Sequence, residues 1–157
     1  MAHLLASWES LYANSAALRT IIAFAHIAGL VGGGGAAVVA DRAALSLHRR
    51  SSAQRIDHLA SLRETHRVVI GGLVAVGVSG VLLLAADSAT FLHSWVFWVK
   101  MALVALLVVN GLFVIRAEAA AALGRDRGWT MLKWTAMASL TLWVLTTLAG
   151  AALPNAG

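Results

Sequence analysis

His26, His93 and Lys100 each lie inside or beside a long apolar run, where ionisable side chains are rare. The stretch "FLHSWVFWVKMALVALLVVNGLFV", residues 91–114, has Lys100 as its single formally charged residue. An ionisable group within a bilayer costs roughly 2.5–3.5 kcal/mol on insertion scales, so by default it marks a functional site. Imidazole nitrogens ligate metals or carry protons, and an ammonium receives carboxylates or other anions. The chain has no cysteine, which excludes disulfides, thiolate metal sites, covalently attached c-type haem and cysteine-ligated iron–sulfur clusters. Histidine, carboxylate, methionine and lysine remain as ligands.

Long apolar elements must position these groups. Of 157 residues, 60% are hydrophobic and 12% charged, against about 25% charged in soluble domains. Four nearly uncharged stretches, 20–40, 68–86, 90–115 and 134–154, each reach the roughly 17–25 residues that a membrane-crossing helix needs. The expected fold is all-α, an integral-membrane antiparallel four-helix bundle forming a single domain over 1–157. The N-terminus lacks the basic leader of a signal peptide and carries Glu9. Leu4, Leu5, Trp8, Leu11 and Tyr12 recur at helical spacing instead, which predicts a short amphipathic helix lying on the interface.

The basic residues are distributed asymmetrically. Arg42, Arg49, Arg50, Arg55, Arg63 and Arg67 lie between the first two spans, and Arg116, Arg125, Arg127 and Lys133 between the last two. Only Arg19 lies on the other side. The positive-inside rule then predicts a multi-pass protein of the cytoplasmic (inner) membrane with both loops inside and both termini outside. The partners implied for the loops are anionic lipid headgroups rather than nucleic acid. Trp95 and Trp98 near the outer end, and Trp129 and Trp134 at the inner end, fit an aromatic belt; Trp143 reads as internal.

Within this frame, His26, His93 and Lys100 fall in the outer half, with His66 and Asp41 at the inner end. His93 and Lys100 are seven apart, hence expected on one face about 10 Å along the axis, with Asn110 within about 80° of it. The short turn "ADSAT" predicts that spans two and three are antiparallel neighbours. Gly32 to Gly35 form a run of four glycines that lets another helix, or a flat cofactor, come close. Gly33 lies seven residues after His26, on the same face. Ala136, Ser139, Trp143 and Gly150 look like a packing seam, His48 and His58 like solvated loop residues, and His66 like a weak candidate. Histidines projecting from facing helices hold b-type haem through its two axial positions. This reading makes His26 an axial or metal ligand, His93 the second, Gly33 the wall of the slot, and Lys100 the partner of a propionate or substrate carboxylate and the candidate catalytic residue. The competing reading is packing alone, with one histidine bonding a carbonyl, His93 interfacial and Lys100 snorkelling outward.

The pattern His26-x-x-Gly29, Gly35, Asp41-Arg42, Gly77-x-x-Gly80 ending at Asp87, Phe97-x-x-Lys100 with Asn110, and Ser139-Leu140 with Trp143 and Gly150 resembles an uncharacterised family of small four-helix bacterial membrane proteins. In that family the acidic motif looks more like Asp-Leu-Arg, whereas here Arg42 follows Asp41 directly. More distantly, an early histidine, Asp and Arg at the inner end of the first span, and "WVK" in a later span are similar to HemJ-type membrane protoporphyrinogen oxidases. That resemblance implies b-type haem with roles for His26 and Lys100. The general plan is also similar to copper-resistance D-type membrane proteins. Together these readings give a membrane protein that binds haem b and has a redox or electron-transfer role, as a candidate haem-dependent oxidoreductase with a quinone or porphyrin as partner, alone, as a homo-oligomer or in a larger membrane complex. The alternatives are a non-enzymatic membrane subunit or small-ligand carrier with packing-only polar residues, and a copper-handling protein.

Overall fold

The structure is a computed structural model that describes residues 2–47 and 52–155, with backbone alone at 2, 52–61, 63 and 155. His48, Arg49 and Arg50 of the expected inner loop lie outside the described residues, as do the side chains of Arg55, His58 and Arg63. The described elements are α1 (Ala2–Asn14), α2 (Ala16–Leu47), α3 (Ser52–Ala86), α4 (Ser88–His93), α5 (Trp95–Ala122) and α6 (Asp126–Ala152), followed by a 3₁₀ turn, Leu153–Asn155. Ala16–Leu47, Glu64–Ala86, Trp95–Ala122 and Asp126–Ala152 are long and apolar enough to cross a membrane. The fold is therefore an all-α bundle with four long apolar helices, compatible with a multi-pass membrane protein.

Local chemistry sets the helix ends. Ser15 opens α2, its Oγ accepting from the Leu18 N–H at 3.2 Å, which satisfies one of the unpaired donors of a first turn. The Arg19 guanidinium donates to the Tyr12 carbonyl at 3.2 Å and to that of Ala13, closing α1. At the other end of the molecule Gly124 takes φ 72°, a conformation other residues rarely adopt. Its N–H donates to Ala121 O at 2.9 Å, and Arg125 N–H donates to Ala120 O at 3.2 Å. This Schellman geometry ends α5, and it does so well past the expected end at residue 115, so that Arg116 and Glu118 are helical.

The start of α5 also differs from expectation. Asp87 Oδ1 accepts from Thr90 N–H at 3.3 Å and starts the separate short helix α4. Ser94, with extended backbone at φ −80°, ψ 122°, then breaks the chain between α4 and α5. His93 and Lys100 thus belong to different helices and do not share one face.

The long helices pack in the order α3, α2, α6, α5, each against the next, and the row closes back only sparsely between α3 and α5. Spans two and three are therefore consecutive without being packed along their lengths, because α4 spaces them apart at one end and α2 takes the packing face of α3. Glycine makes that α2–α3 contact. A Cβ at Gly33 would stand 2.9 Å from Gly72 Cα, and one at Gly29 would stand 3.0 Å from Gly72 O. The two backbones touch where side chains would hold them apart.

The start of α1, the end of α6 and α4 lie at one end of the bundle, here the terminal end; the end of α2, the start of α3 and the 123–125 turn lie at the other, the loop end. Trp8 Nε1–H donates to Leu82 O at 3.1 Å and ties α1 to the terminal end of α3. At the loop end a core of Ala40, Ala44, Leu47, Leu62, Val114, Ala117, Ala121, Leu132 and Ala136 forms, and midway Ala37 and Leu107 enclose Trp143. Val31, Val39, Ile70, Val74, Leu112 and Leu148 instead point away from the bundle, as side chains facing lipid would.

Candidate functional site

Polar groups gather inside the bundle at two depths. Toward the terminal end, His26 on α2 faces α3, where its Nδ1 lies 2.9 Å from Ser79 Oγ. The Ser79 hydroxyl lies 2.6 Å from Ala75 O, one helical turn back, and 3.2 Å from Val76 O. A hydroxyl has one hydrogen. With that hydrogen given to the Ala75 carbonyl, Oγ accepts from His26 Nδ1–H, which leaves Nε2 with a lone pair. A hydrogen bond at one ring nitrogen is what fixes the other as ligand or base. Gly80 makes room for the ring, since a Cβ there would stand 3.4 Å from His26 Cε1.

Lys100 enters from α5. It is half-buried, and its Nζ lies over Gly150 of α6, where a Cβ would be 3.5 Å away. From there the ammonium acts electrostatically on His26. Among the described residues, Lys100 has neither a carboxylate nor a hydrogen-bond acceptor. The arrangement thus presents an imidazole lone pair and an unpaired cation in the same part of the interior.

His93 stands apart. It is exposed on α4, its Nδ1 2.6 Å from Ala89 O, in a groove with Thr90, Phe91 and Pro154. His26 is ten residues into α2, about 15 Å along its axis, whereas His93 precedes α5 altogether. Gly33 is likewise not beside an open slot: the face it shares with His26 is filled by the α3 backbone at Gly72. Gly32 and Gly35 have open space instead. Among the described residues, no three histidines, aspartates or glutamates are gathered closely enough to hold a metal ion.

The second group lies near the loop end; the sequence points to Asp41, His66, Asn110 and Ser139 but not to Glu118. Asp41 is buried, with 4% of its surface exposed, and the Ser139 side chain is near its carboxyl group. His66 Nδ1 lies 2.9 Å from Glu118 Oε1, at ion-pair distance but outside hydrogen-bond geometry. Close by, Asn110 Nδ2 donates to Thr135 O at 3.0 Å, a buried link between α5 and α6. Glu118 escaped notice because the run of uncharged residues stops at Arg116. Its register carried the signal: it follows Asn110 by eight residues, within about 80° on a helix.

No protein-family model, no curated protein and no solved structure matches the chain.

Proposed function

We propose that this protein spans the cytoplasmic membrane four times and binds an anionic cofactor or ligand at the terminal end, with His26 Nε2 as its ligating atom and Lys100 as its counter-charge. Haem b is the group that this pair of donors suits, because its iron takes an imidazole nitrogen and its propionates take an ammonium. The observation that carries the reading is Lys100: a half-buried ammonium without an acceptor among the described residues, beside an imidazole whose Nδ1 is already engaged. An unpaired cation in a membrane span is costly, and a bound anion removes that cost. When bound, haem would supply one-electron chemistry; the chain's own part is to orient the imidazole through Ser79 and to hold a carboxylate at Lys100. A quinone or a porphyrin is the partner class that such chemistry serves.

The purified protein is expected to show a Soret band that His26→Ala abolishes or shifts and that Lys100→Met weakens through cofactor loss. Lys100→Arg should keep part of the retention. A colourless protein that does not respond to added haem would overturn the cofactor. A specific observation favours one rival, a membrane subunit whose polar residues serve packing: Gly29 and Gly33 meet Gly72 backbone to backbone, and the His26–Ser79 bond joins the same two helices. Under that reading Lys100→Met raises thermal stability and changes no binding.

The proposed orientation has the loop end in the cytoplasm, supported by ten of the twelve lysines and arginines. Single cysteines at Ser52 and Ser88 should react oppositely with a membrane-impermeant reagent on intact cells; labelling of Ser52 from outside would reverse the assignment.

A further inference from the structure

The group near the loop end takes no part in the site just proposed, and its composition is unusual for a bundle interior. Asp41 comes from α2, His66 from α3, Glu118 from α5 and Ser139 from α6, so every long helix contributes one member. Asp41 is 4% exposed and Glu118 5%. Alanine, leucine and valine side chains of the loop-end core surround them. Asp41 Oδ2 is buried with no hydrogen-bond partner, although the same carboxyl group meets Ser139 and feels the charge of His66. His66 is the most accessible of the three ionisable members, its side chain 20% exposed against 7% for Glu118.

Charge balance decides what such a group holds. Two carboxylates and one imidazole, all ionised, leave one net negative charge in an apolar core. The neighbouring cations do not offset it, because Arg42, Arg67 and Arg116 are exposed and Arg116 lies over the Phe113 ring. Glu64 is exposed as well, Lys133 of α6 is half-buried but lies over the exposed Trp134 ring, and α6 brings Ser139 and Thr135 to this region, neither of them titratable near neutrality. The described residues therefore offer no further fixed charge facing the cluster. An uncompensated buried charge costs several kcal/mol, and among the described residues no set of three ligands suitable for a metal cation is assembled. Among the described residues the remaining neutralising species is the proton, and an unpartnered carboxyl oxygen is where one can reside.

We propose that Asp41, His66 and Glu118 form an intramembrane proton-binding site, filled from the loop end through His66. In its neutral state the site holds two protons among three groups: one on the imidazole that faces Glu118, and one on a carboxyl group. Loading takes a proton from water at the loop end onto the site, and unloading returns it; no bond other than O–H or N–H forms or breaks.

The test uses the full chain in lipid nanodiscs and infrared difference spectra recorded across a pH titration in H₂O and D₂O. The wild type is expected to show a C=O band of a protonated carboxylic acid that shifts on deuteration and titrates outside the range of the exposed acids. Asp41→Asn or Glu118→Gln should remove it. His66→Gln should move its midpoint by about one pH unit or more, tenfold in proton affinity. A wild type whose carboxyl bands all titrate with the exposed acids overturns the proposal, and this readout needs no variant to fold. So does a separate band that persists in both carboxyl variants. A midpoint that moves when choline chloride is replaced by sodium, potassium or magnesium chloride at constant ionic strength also overturns it, since the site would then take a metal cation.

Discussion

Near the loop end, ionisable side chains sit in company: His66 meets Glu118, Ser139 meets Asp41, and an alanine-rich core closes around them. Toward the terminal end, Ser79 stands at His26 Nδ1, and Lys100 lies on the bare backbone of Gly150. Both regions place charge in an apolar interior. In the first, side chains from four helices converge and His66 stands at ion-pair distance from Glu118; in the second, Lys100 has no acceptor among the described residues. Under the proposed function the difference separates a cluster whose members meet one another from a pair that receives a ligand, and it can be tested by removing one member of each.

The largest contrast is expected between Glu118→Ala and Lys100→Met. Breaking a buried pair by deleting one partner leaves the other stranded, at a cost of about 3 kcal/mol or more. Glu118→Ala should therefore lower the thermal midpoint of the purified protein sharply. Lys100→Met removes an ammonium with no partner among the described residues, so its midpoint should hold or rise while ligand retention falls. Equal destabilisation by the two variants would erase the distinction.

A smaller contrast compares two hydrogen bonds between helices. Asn110→Ala deletes a fully buried donor to Thr135 O and is expected to cost about 1 kcal/mol, within the range for such bonds in membrane bundles. Ser79→Ala deletes the acceptor of His26 Nδ1–H, leaving the α2–α3 glycine contact intact, and should cost roughly half as much. Its larger consequence should be spectral or in affinity, because the imidazole is then free to change tautomer. Denaturation midpoints set beside ligand titrations of both variants check this ordering.

The number of long apolar helices was legible in the sequence because length and hydropathy decide it with no reference to packing. Trp143 as an internal residue followed from its distance from either interface, and it is 6% exposed. The loop-end cluster was less legible. Charge was used to mark where membrane helices stop, yet Arg116 points outward over Phe113 while Glu118, two residues on, points inward. On a helix two residues turn by about 200°, so a single charged residue says little about its neighbour. The expectation for His93 failed for a different reason. A seven-residue spacing implies a shared face only within one helix, and Ser94 interrupts it. The use of Gly33 was ambiguous from the start, because close approach by a helix and close approach by a flat ring make the same demand on a backbone.

The order of packing also bears on how the protein is made. α2 with α3, and α5 with α6, are two hairpins that join mainly along the α2–α6 seam. During synthesis the first hairpin emerges carrying Asp41 and His66, and the second follows with Glu118 and Ser139. Neither holds the complete set. Each hairpin taken alone keeps its acidic group among apolar side chains without the contacts that the other hairpin brings. Association of the two hairpins is where those contacts are gained, so the complete cluster exists only in the assembled bundle.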